Sequence, residues 1–312
     1  MTDVLAPPPA PPSGGPGAQA APEGRGRRRR AVPAWAWVLP PLAALGFAFL
    51  YPLVLVVVES FTAPDGSGFT LEVYAETASS AAFRQALVTT VLLAVGATAG
   101  CLLLGFFLSL VVAFVPFPGA RFAGRFINVF LAFPSFLITL SLVFVYGTAG
   151  LANGLWTGAT GATEGPFDFL TTPWGVLLAL ITYFTPFVMR PLLAAFSQTE
   201  TAQIEAAASL GARPLRIIGR VILPDALPSL AAGGSLVLVL CMNEFGIILF
   251  TGAKDVVTLP MLVYTTAMLK SDYTAACAVA VVNIALSCAL YGLYRMVLAR
   301  TSAGRGGDRA GA

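Results

Sequence analysis

Long apolar runs alternate with short polar segments along most of this chain. A bilayer core of about 30 Å requires about 20 apolar residues per helix, and six runs reach that length. They cover residues 34–58, 86–114, 127–147, 173–196, 226–251 and 273–298. The pattern therefore predicts an all-α integral membrane protein with six transmembrane helices.

The polar ends of the chain lie outside this pattern. Residues 1–33 are rich in proline, glycine and alanine, and they include a basic cluster that ends at Arg30. This composition predicts a disordered basic tail, and residues 301–312 are interpreted as a second short tail. A secretory signal peptide is the rival interpretation of the first apolar run. However, this run exceeds the 7–15 apolar residues of a signal core, and no clear cleavage site follows it.

The distribution of basic residues predicts the orientation of the spans. If the N-terminus is cytoplasmic, fifteen of the 18 lysines and arginines fall in cytoplasmic segments or at cytoplasmic span ends, and only Arg84, Lys254 and Lys270 lie outside. Because cytoplasmic loops carry an excess of basic residues, we expect both termini inside. Two outer segments show weak helical signals. One is residues 59–85, and the other is Thr258–Tyr264, which is predicted as a short helix packed on the outer face.

Composition agrees with a membrane protein and argues against an enzyme. The chain is 57% hydrophobic and 11% charged, whereas soluble domains carry about 25% charged residues. It contains no histidine and no phosphate-binding loop of the GxxxxGK[ST] type, and its four cysteines lie in apolar runs. We therefore expect no catalytic residues, no metal site and no cofactor in this chain. If ATP drives this protein, it must be hydrolysed by another chain.

One carboxylate is predicted inside a span. Glu244 follows Asn243 in the outer half of the fifth apolar run. A charged residue at that depth costs about 2.5–3.5 kcal/mol on insertion scales, so it normally faces protein or a water-filled cavity. Two interpretations stay open. Glu244 and Asn243 line a path for a cationic or hydroxyl-bearing solute, or Glu244 makes an interhelical hydrogen bond or a salt bridge to a loop lysine.

The polar segment 197–224 between the fourth and fifth spans carries strong helix signals. Ser197 and Glu200 have the spacing of a capping box, and helix-favouring residues follow. Gly211 suits the left-handed position that ends a helix. A second short helix is predicted to start near Pro214 and to end before Pro224. The expected product is a helix-turn-helix on the cytoplasmic surface, with small residues exposed at positions 202, 206 and 209.

The spacing within this segment is specific. Its fixed positions are Glu205, Ala206, Ala207, Gly211, Val221, Leu223 and Pro224. They resemble the EAA signature of ABC-importer permeases, whose pattern is EAA, three residues, G, nine residues, I, one residue, LP. Valine in place of isoleucine at position 221 is the single departure. The resemblance extends over about residues 34–300.

The resemblance implies a type I ABC-importer permease fold and a set of partners. The seven motif residues would form a coupling loop that docks on a dimer of ABC ATPase subunits, which bind the ATP and Mg²⁺. A second permease subunit, identical or related, would complete the pore. A solute-binding protein would deliver cargo from outside. The expected location is the bacterial cytoplasmic (inner) membrane, as a multi-pass protein in the lipid bilayer with no nucleic-acid partner.

The cargo is predicted from a narrower resemblance. The stretches 242–250 and 257–264 look like permeases of the 2-aminoethylphosphonate uptake group. A single carboxylate that faces an ammonium group suits that cargo. Polyamine, ferric iron or another small solute is the alternative within the same importer class. An ion-coupled secondary transporter is the alternative from another class, and uptake that follows an ion gradient without an ATPase would indicate it.

Overall fold

The structure is a computed structural model that describes residues 37–63, 68–253 and 255–309. The predicted N-terminal tail, residues 1–33, lies outside the described residues. The chain divides into two compact units, residues 1–51 and 52–312. In the described part of the first unit, Phe47 and Tyr51 stack one helical turn apart with ring centroids separated by 5.1 Å.

The regular structure of the described residues is helical apart from an isolated bridge between Thr62 and Phe69. Two segments of wider π-helical winding, Ile218–Ile222 and Thr265–Leu269, interrupt the α-helices. In chain order the α-helices are α1 Leu39–Ser60, α2 Glu72–Ser79, α3 Ala81–Phe114, α4 Ala120–Phe130, α5 Ser135–Tyr146, α6 Leu151–Thr160, α7 Pro173–Phe196, α8 Thr201–Ser209, α9 Pro214–Ile217, α10 Leu223–Met242, α11 Gly246–Thr251, α12 Leu259–Tyr264 and α13 Tyr273–Arg309.

Six helical stretches of the described chain are long and apolar enough to cross a membrane. These are Leu39–Ser60, Ala81–Phe114, Ser135–Thr160, Pro173–Phe196, Pro214–Met242 and Tyr273–Leu298. The prediction of an all-α protein with six apolar spans is thereby confirmed, and the chain is a multi-pass membrane protein.

The predicted run 127–147 is not one helix, because the chain is broken just before the third span begins at Ser135. Helix α4 ends at Phe130, and α5 starts only at Ser135. Pro134 has no backbone N–H and disfavours helical geometry in the residue before it, so the backbone opens there. The Tyr183 hydroxyl of α7 donates to the exposed carbonyl of Phe133 at 3.3 Å. The Tyr183 hydroxyl, from a neighbouring span, thus satisfies a backbone carbonyl that the break leaves without a helical partner.

The centre of the second unit is the packing of α7 between α3 and α10. Val188 of α7 is fully buried, and a glycine faces it from each side. A methyl group added at Gly105 of α3 would lie 3.0 Å from the Val188 Cβ, and one added at Gly233 of α10 would lie 3.1 Å from its Cα. Such small residues let helix backbones approach closely, which is how helices associate in membranes.

Short helices pack against one end of these spans. The predictions of a helix within 59–85 and of another over 258–264 are confirmed by α2 and α12. Helix α12 is fixed to α3 by one buried hydrogen bond, in which the Leu259 N–H donates to the Thr90 hydroxyl at 2.8 Å. That N–H is in the first turn of α12 and has no partner within its own helix.

Candidate functional site

The segment between α7 and α10 folds as the predicted helix-turn-helix of α8 and α9. Gly211 has φ +79°, the left-handed conformation predicted from the sequence. The N–H groups of Gly211 and Ala212 donate to the carbonyls of Ala208 and Ala207, at 2.9 and 3.1 Å. This pair of bonds is a Schellman motif, which satisfies the last carbonyls of α8 and reverses the chain into α9.

Helix α8 presents two different faces. Ile204 and Ala207 are partly buried and pack against the main apolar core. Glu205 and Ala206 are exposed. The predicted small-residue face at positions 202, 206 and 209 is also exposed along its length. In the first half of the motif, Ala207 therefore packs against the protein, whereas Glu205 and Ala206 form a surface that is open to a partner.

The predicted capping box at Ser197 and Glu200 does not form. Helix α7 continues to Phe196, so Ser197 closes that span, and its hydroxyl donates to the carbonyl of Ala194 at 2.8 Å. Glu200 occupies the N-cap position of α8 and makes no side-chain capping bond. The Ser197 hydroxyl therefore bonds to the end of α7 and is not available to cap α8.

Pro224 does not separate the loop from the fifth span, contrary to the prediction. The chain stays helical from Pro214 to Met242 through the π-helical segment Ile218–Ile222. A proline in a regular α-helix clashes with the carbonyl four residues earlier, here that of Arg220. The wider π winding at Arg220 accommodates the ring. The second half of the motif, Val221 to Pro224, therefore lies on the first turns of a continuous helix.

Two leucines that the motif does not include are the most exposed apolar residues of the loop. Leu210 and Leu215 are 89% and 84% exposed, on either side of the Gly211 turn. An exposed pair of large apolar side chains next to charged residues is typical of an interaction site. The signal was present in the sequence, since both leucines lie in the polar segment 197–224.

Glu244 lies in a break between α10 and α11, not inside a continuous fifth span. Helix α10 ends at Met242 and α11 starts at Gly246. The Oε1 atom of Glu244 accepts hydrogen bonds from the Ser135 hydroxyl of α5 at 3.0 Å and from the Ile247 N–H at 2.9 Å. One of the two sequence-based interpretations, an interhelical hydrogen bond, is thus present. The side chain is only partly buried.

Asn243 engages a different helix from its neighbour Glu244. Its side-chain amide donates to the Val239 carbonyl at 2.9 Å, and its Oδ1 accepts from the Asn283 amide of α13 at 3.1 Å. Because the Val239 carbonyl can only accept, this chain of bonds fixes the orientation of both amides. The structure therefore brings Ser135 to Glu244 and Asn283 to Asn243. Neither partner was predicted, since they are 109 and 40 residues away in sequence.

The side-chain oxygen of Asn283, Oδ1, has no hydrogen-bond partner among the described residues. The Ser287 hydroxyl, one turn further along α13, has none there either. Both side chains are more than nine-tenths buried. The broken stretch 243–245 is therefore a polar centre joined to the third and sixth spans. Its partly exposed Glu244 carboxylate can accept from a cation or from a hydrogen-bond donor. The described residues contain no group of three or more side chains able to hold a metal ion.

The family model that matches this chain is described as the inner membrane component of binding-protein-dependent transport systems, and it covers residues 102–303. Residues 205–224 and 243–245 both lie within that match. PhnU of Salmonella typhimurium, whose name assigns it as a permease protein of a 2-aminoethylphosphonate transport system, is 51% identical over 265 residues. These cover 85% of this chain and 92% of PhnU.

More distant relatives share the architecture. PotC of Escherichia coli K12, named as a spermidine/putrescine transport system permease protein, is 25% identical over 70% of this chain and 78% of PotC. A crystal structure of a bacterial alginate ABC transporter, in complex with a periplasmic protein bound to an alginate pentasaccharide, matches with a TM-score of 0.70. It is 20% identical, over 86% of this chain and 94% of that one. These relatives are transporter permease components, which are not enzymes themselves.

Proposed function

Because this chain belongs to the family of binding-protein-dependent transport inner membrane components, and is a permease of an ABC importer, we propose that it carries 2-aminoethylphosphonate across the bacterial cytoplasmic membrane. The PhnU relative is named for that cargo and is similar along nearly its whole length. Both chain termini would lie in the cytoplasm, as the distribution of arginines predicts.

The helix-turn-helix of α8 and α9 is the proposed docking site for a dimer of ATPase subunits. The geometry of this helix-turn-helix is the observation that carries the proposed coupling to an ATPase, because it combines the EAA spacing with an open surface. Glu205, Ala206 and the two leucines are exposed, while Val221, in the first turns of the fifth span, packs against the main apolar core. The ATPase subunits would bind ATP and Mg²⁺, and their closure would move this loop.

A second permease subunit, identical or related, would complete the pathway. Asn243 is exposed and Glu244 is partly exposed, although both lie in the apolar run predicted over 226–251. A charged side chain that faces lipid within the membrane costs about 2.5–3.5 kcal/mol on insertion scales. We propose that this side of the span faces an aqueous path between two permease subunits. An extracytoplasmic binding protein would supply the cargo from the side where α2 and α12 pack.

Glu244 is the proposed cargo-sensing group. One carboxylate oxygen is engaged by Ser135 and Ile247, and no hydrogen bond to Oε2 is present among the described residues. That oxygen suits the ammonium group of an aminoalkyl phosphonate. Polyamines, which also carry ammonium groups, are the second candidate cargo, and the similarity to PotC favours them over ferric iron.

The coupling role is tested by two substitutions at one position. Gly211→Pro cannot adopt φ +79° and removes the N–H that donates to Ala208. We expect it to abolish ATPase co-purification and uptake while the protein still inserts into the membrane. Gly211→Asn is the matched control, because asparagine tolerates the left-handed region and no atom lies within 4 Å of a Cβ at this position. Normal uptake by the proline variant would refute the coupling role.

The cargo role is tested by Glu244→Gln in proteoliposomes that contain the whole importer. Glutamine keeps the size of the side chain and removes its charge. We expect slower uptake of 2-aminoethylphosphonate with unchanged ATPase co-purification. Titration of the cognate binding protein with 2-aminoethylphosphonate, spermidine and putrescine identifies the cargo independently. Unchanged uptake by the variant would return Glu244 to a purely structural role.

A further inference from the structure

The carboxylate of Glu244 is held by a side chain from another span, and this contact is specific in geometry. Ser135 is the first residue of α5, directly after the break that ends at Pro134. Its hydroxyl donates to Oε1 of Glu244 at 3.0 Å. The bond therefore joins two breaks, one directly before the third span and one directly after the fifth, through residues that lie 109 positions apart in sequence.

Gly246 makes this approach possible. A methyl group at position 246 would lie 3.3 Å from both Oε1 of Glu244 and Oγ of Ser135, and 3.6 Å from Cβ of Phe136. These first two distances are tighter than ordinary van der Waals contacts. A side chain at position 246 would require the carboxylate or the hydroxyl to shift by a few tenths of an ångström, so glycine leaves room for the bond between them.

The two hydrogen bonds to Oε1 of Glu244 also fix the position of its second carboxylate oxygen, Oε2. The Ile247 N–H binds Oε1 from the first turn of α11, and Ser135 binds it from α5. A carboxylate with one oxygen held by two donors cannot rotate freely about its terminal bond. The oxygen that is left for a solute then has a defined position, which lowers the entropy that binding must overcome.

We propose that Ser135 is a positioning residue for cargo transfer, which acts by holding Glu244 so that its second carboxylate oxygen meets the ammonium group of the cargo. This inference rests on the proposed cargo role of Glu244. It adds that the specificity of the site depends on a side chain from the third span, outside both the coupling loop and the fifth span.

The experiment uses the importer reconstituted with its ATPase, saturated with binding protein that carries 2-aminoethylphosphonate. Loss of a hydrogen bond to a charged group should lower the maximal uptake rate of Ser135→Ala about tenfold. The KM for the loaded binding protein and the ATPase co-purification should not change. Ser135→Thr restores the hydroxyl and should recover most of the rate.

Ser141→Ala is the matched control, because Ser141 lies on the same helix, is exposed and donates only to the Leu137 carbonyl of that helix. It should transport at the normal rate. In a double-mutant cycle, Ser135→Ala should have little further effect once Glu244→Gln is present, since both act through one carboxylate.

The outcomes separate the two ideas. A slow Glu244→Gln together with a normal Ser135→Ala, or with effects that add independently, would overturn the positioning role and leave the cargo role standing. A normal rate for Glu244→Gln would overturn the cargo role and, with it, this inference.

Discussion

Leu210→Ala and Leu215→Ala remove apolar surface that the isolated chain leaves exposed at the proposed docking site. The two side chains are 89% and 84% exposed, so nearly all of their surface is available to a partner. Full burial of a leucine side chain stabilises by about 1.5–3 kcal/mol. Alanine keeps only the Cβ methyl, so we expect each substitution to weaken ATPase binding by about 1–2 kcal/mol.

In terms of affinity, each variant should bind the ATPase about 5- to 30-fold more weakly, since 1.4 kcal/mol corresponds to a factor of ten. The double variant should lose about 100-fold, with some departure from additivity because the two leucines flank the same turn. The measurement is a titration of purified ATPase subunits onto the detergent-solubilised permease. The loss should be nearly independent of salt concentration, since screening acts on charges and not on apolar burial.

Leu71→Ala is the matched control. Leu71 is 68% exposed, but it precedes α2 on the side proposed to face outwards, so its substitution should leave ATPase affinity unchanged. Wild-type affinity in both loop variants would refute apolar anchoring. A strong salt dependence of the remaining affinity would then indicate that Arg213 and Arg216 of the loop carry the binding instead.

Two further predictions concern the stability of the fold. Thr90→Val should lower the free energy of unfolding in detergent by about 1–3 kcal/mol, because it leaves the buried Leu259 N–H without a hydrogen-bond acceptor. Thr98→Val is the control, since the Thr98 hydroxyl donates to a carbonyl of its own helix. Equal losses in the two variants would contradict this reasoning. Asn153→Ala should speed hydrogen exchange and proteolysis at 161–172, because the Asn153 amide joins the Gly147 and Phe167 carbonyls at 2.9 and 2.7 Å; protection equal to the wild type would show that the loop holds itself.

The sequence predicts the parts of this fold that depend on local composition. Apolar run length is sufficient for six spans, and the left-handed Gly211 follows from its place after a helix-favouring run. Helix α12 was likewise predicted from the short segment around Pro260. What these features share is that the physical cause lies within a few residues of the effect.

The breaks in the predicted runs 127–147 and 226–251 could not be predicted from hydropathy, because the length of an apolar run does not show where the backbone hydrogen bonds are interrupted. Pro134 and the pair Asn243–Glu244 were visible signals. Their consequence depends on Ser135, Tyr183 and Asn283, which reach the breaks from other spans. Such partners are set by tertiary packing. The error at Pro224 has the same origin, since the π winding that accommodates it is a property of the folded helix.

The two proposed functional regions lie at opposite ends of one helix, and this arrangement suits the transfer of motion. Helix α10 runs from Leu223 to Met242, a length of about 30 Å at 1.5 Å per residue. Its interior is packed through Gly233 against Val188. Its regular hydrogen bonding is interrupted at the π segment before Leu223, at Pro228 and at the break after Met242. Bending concentrates at such interruptions. A displacement of the loop by the ATPase would therefore be passed along α10 to Glu244, with bending at Pro228 and at the two ends of the helix.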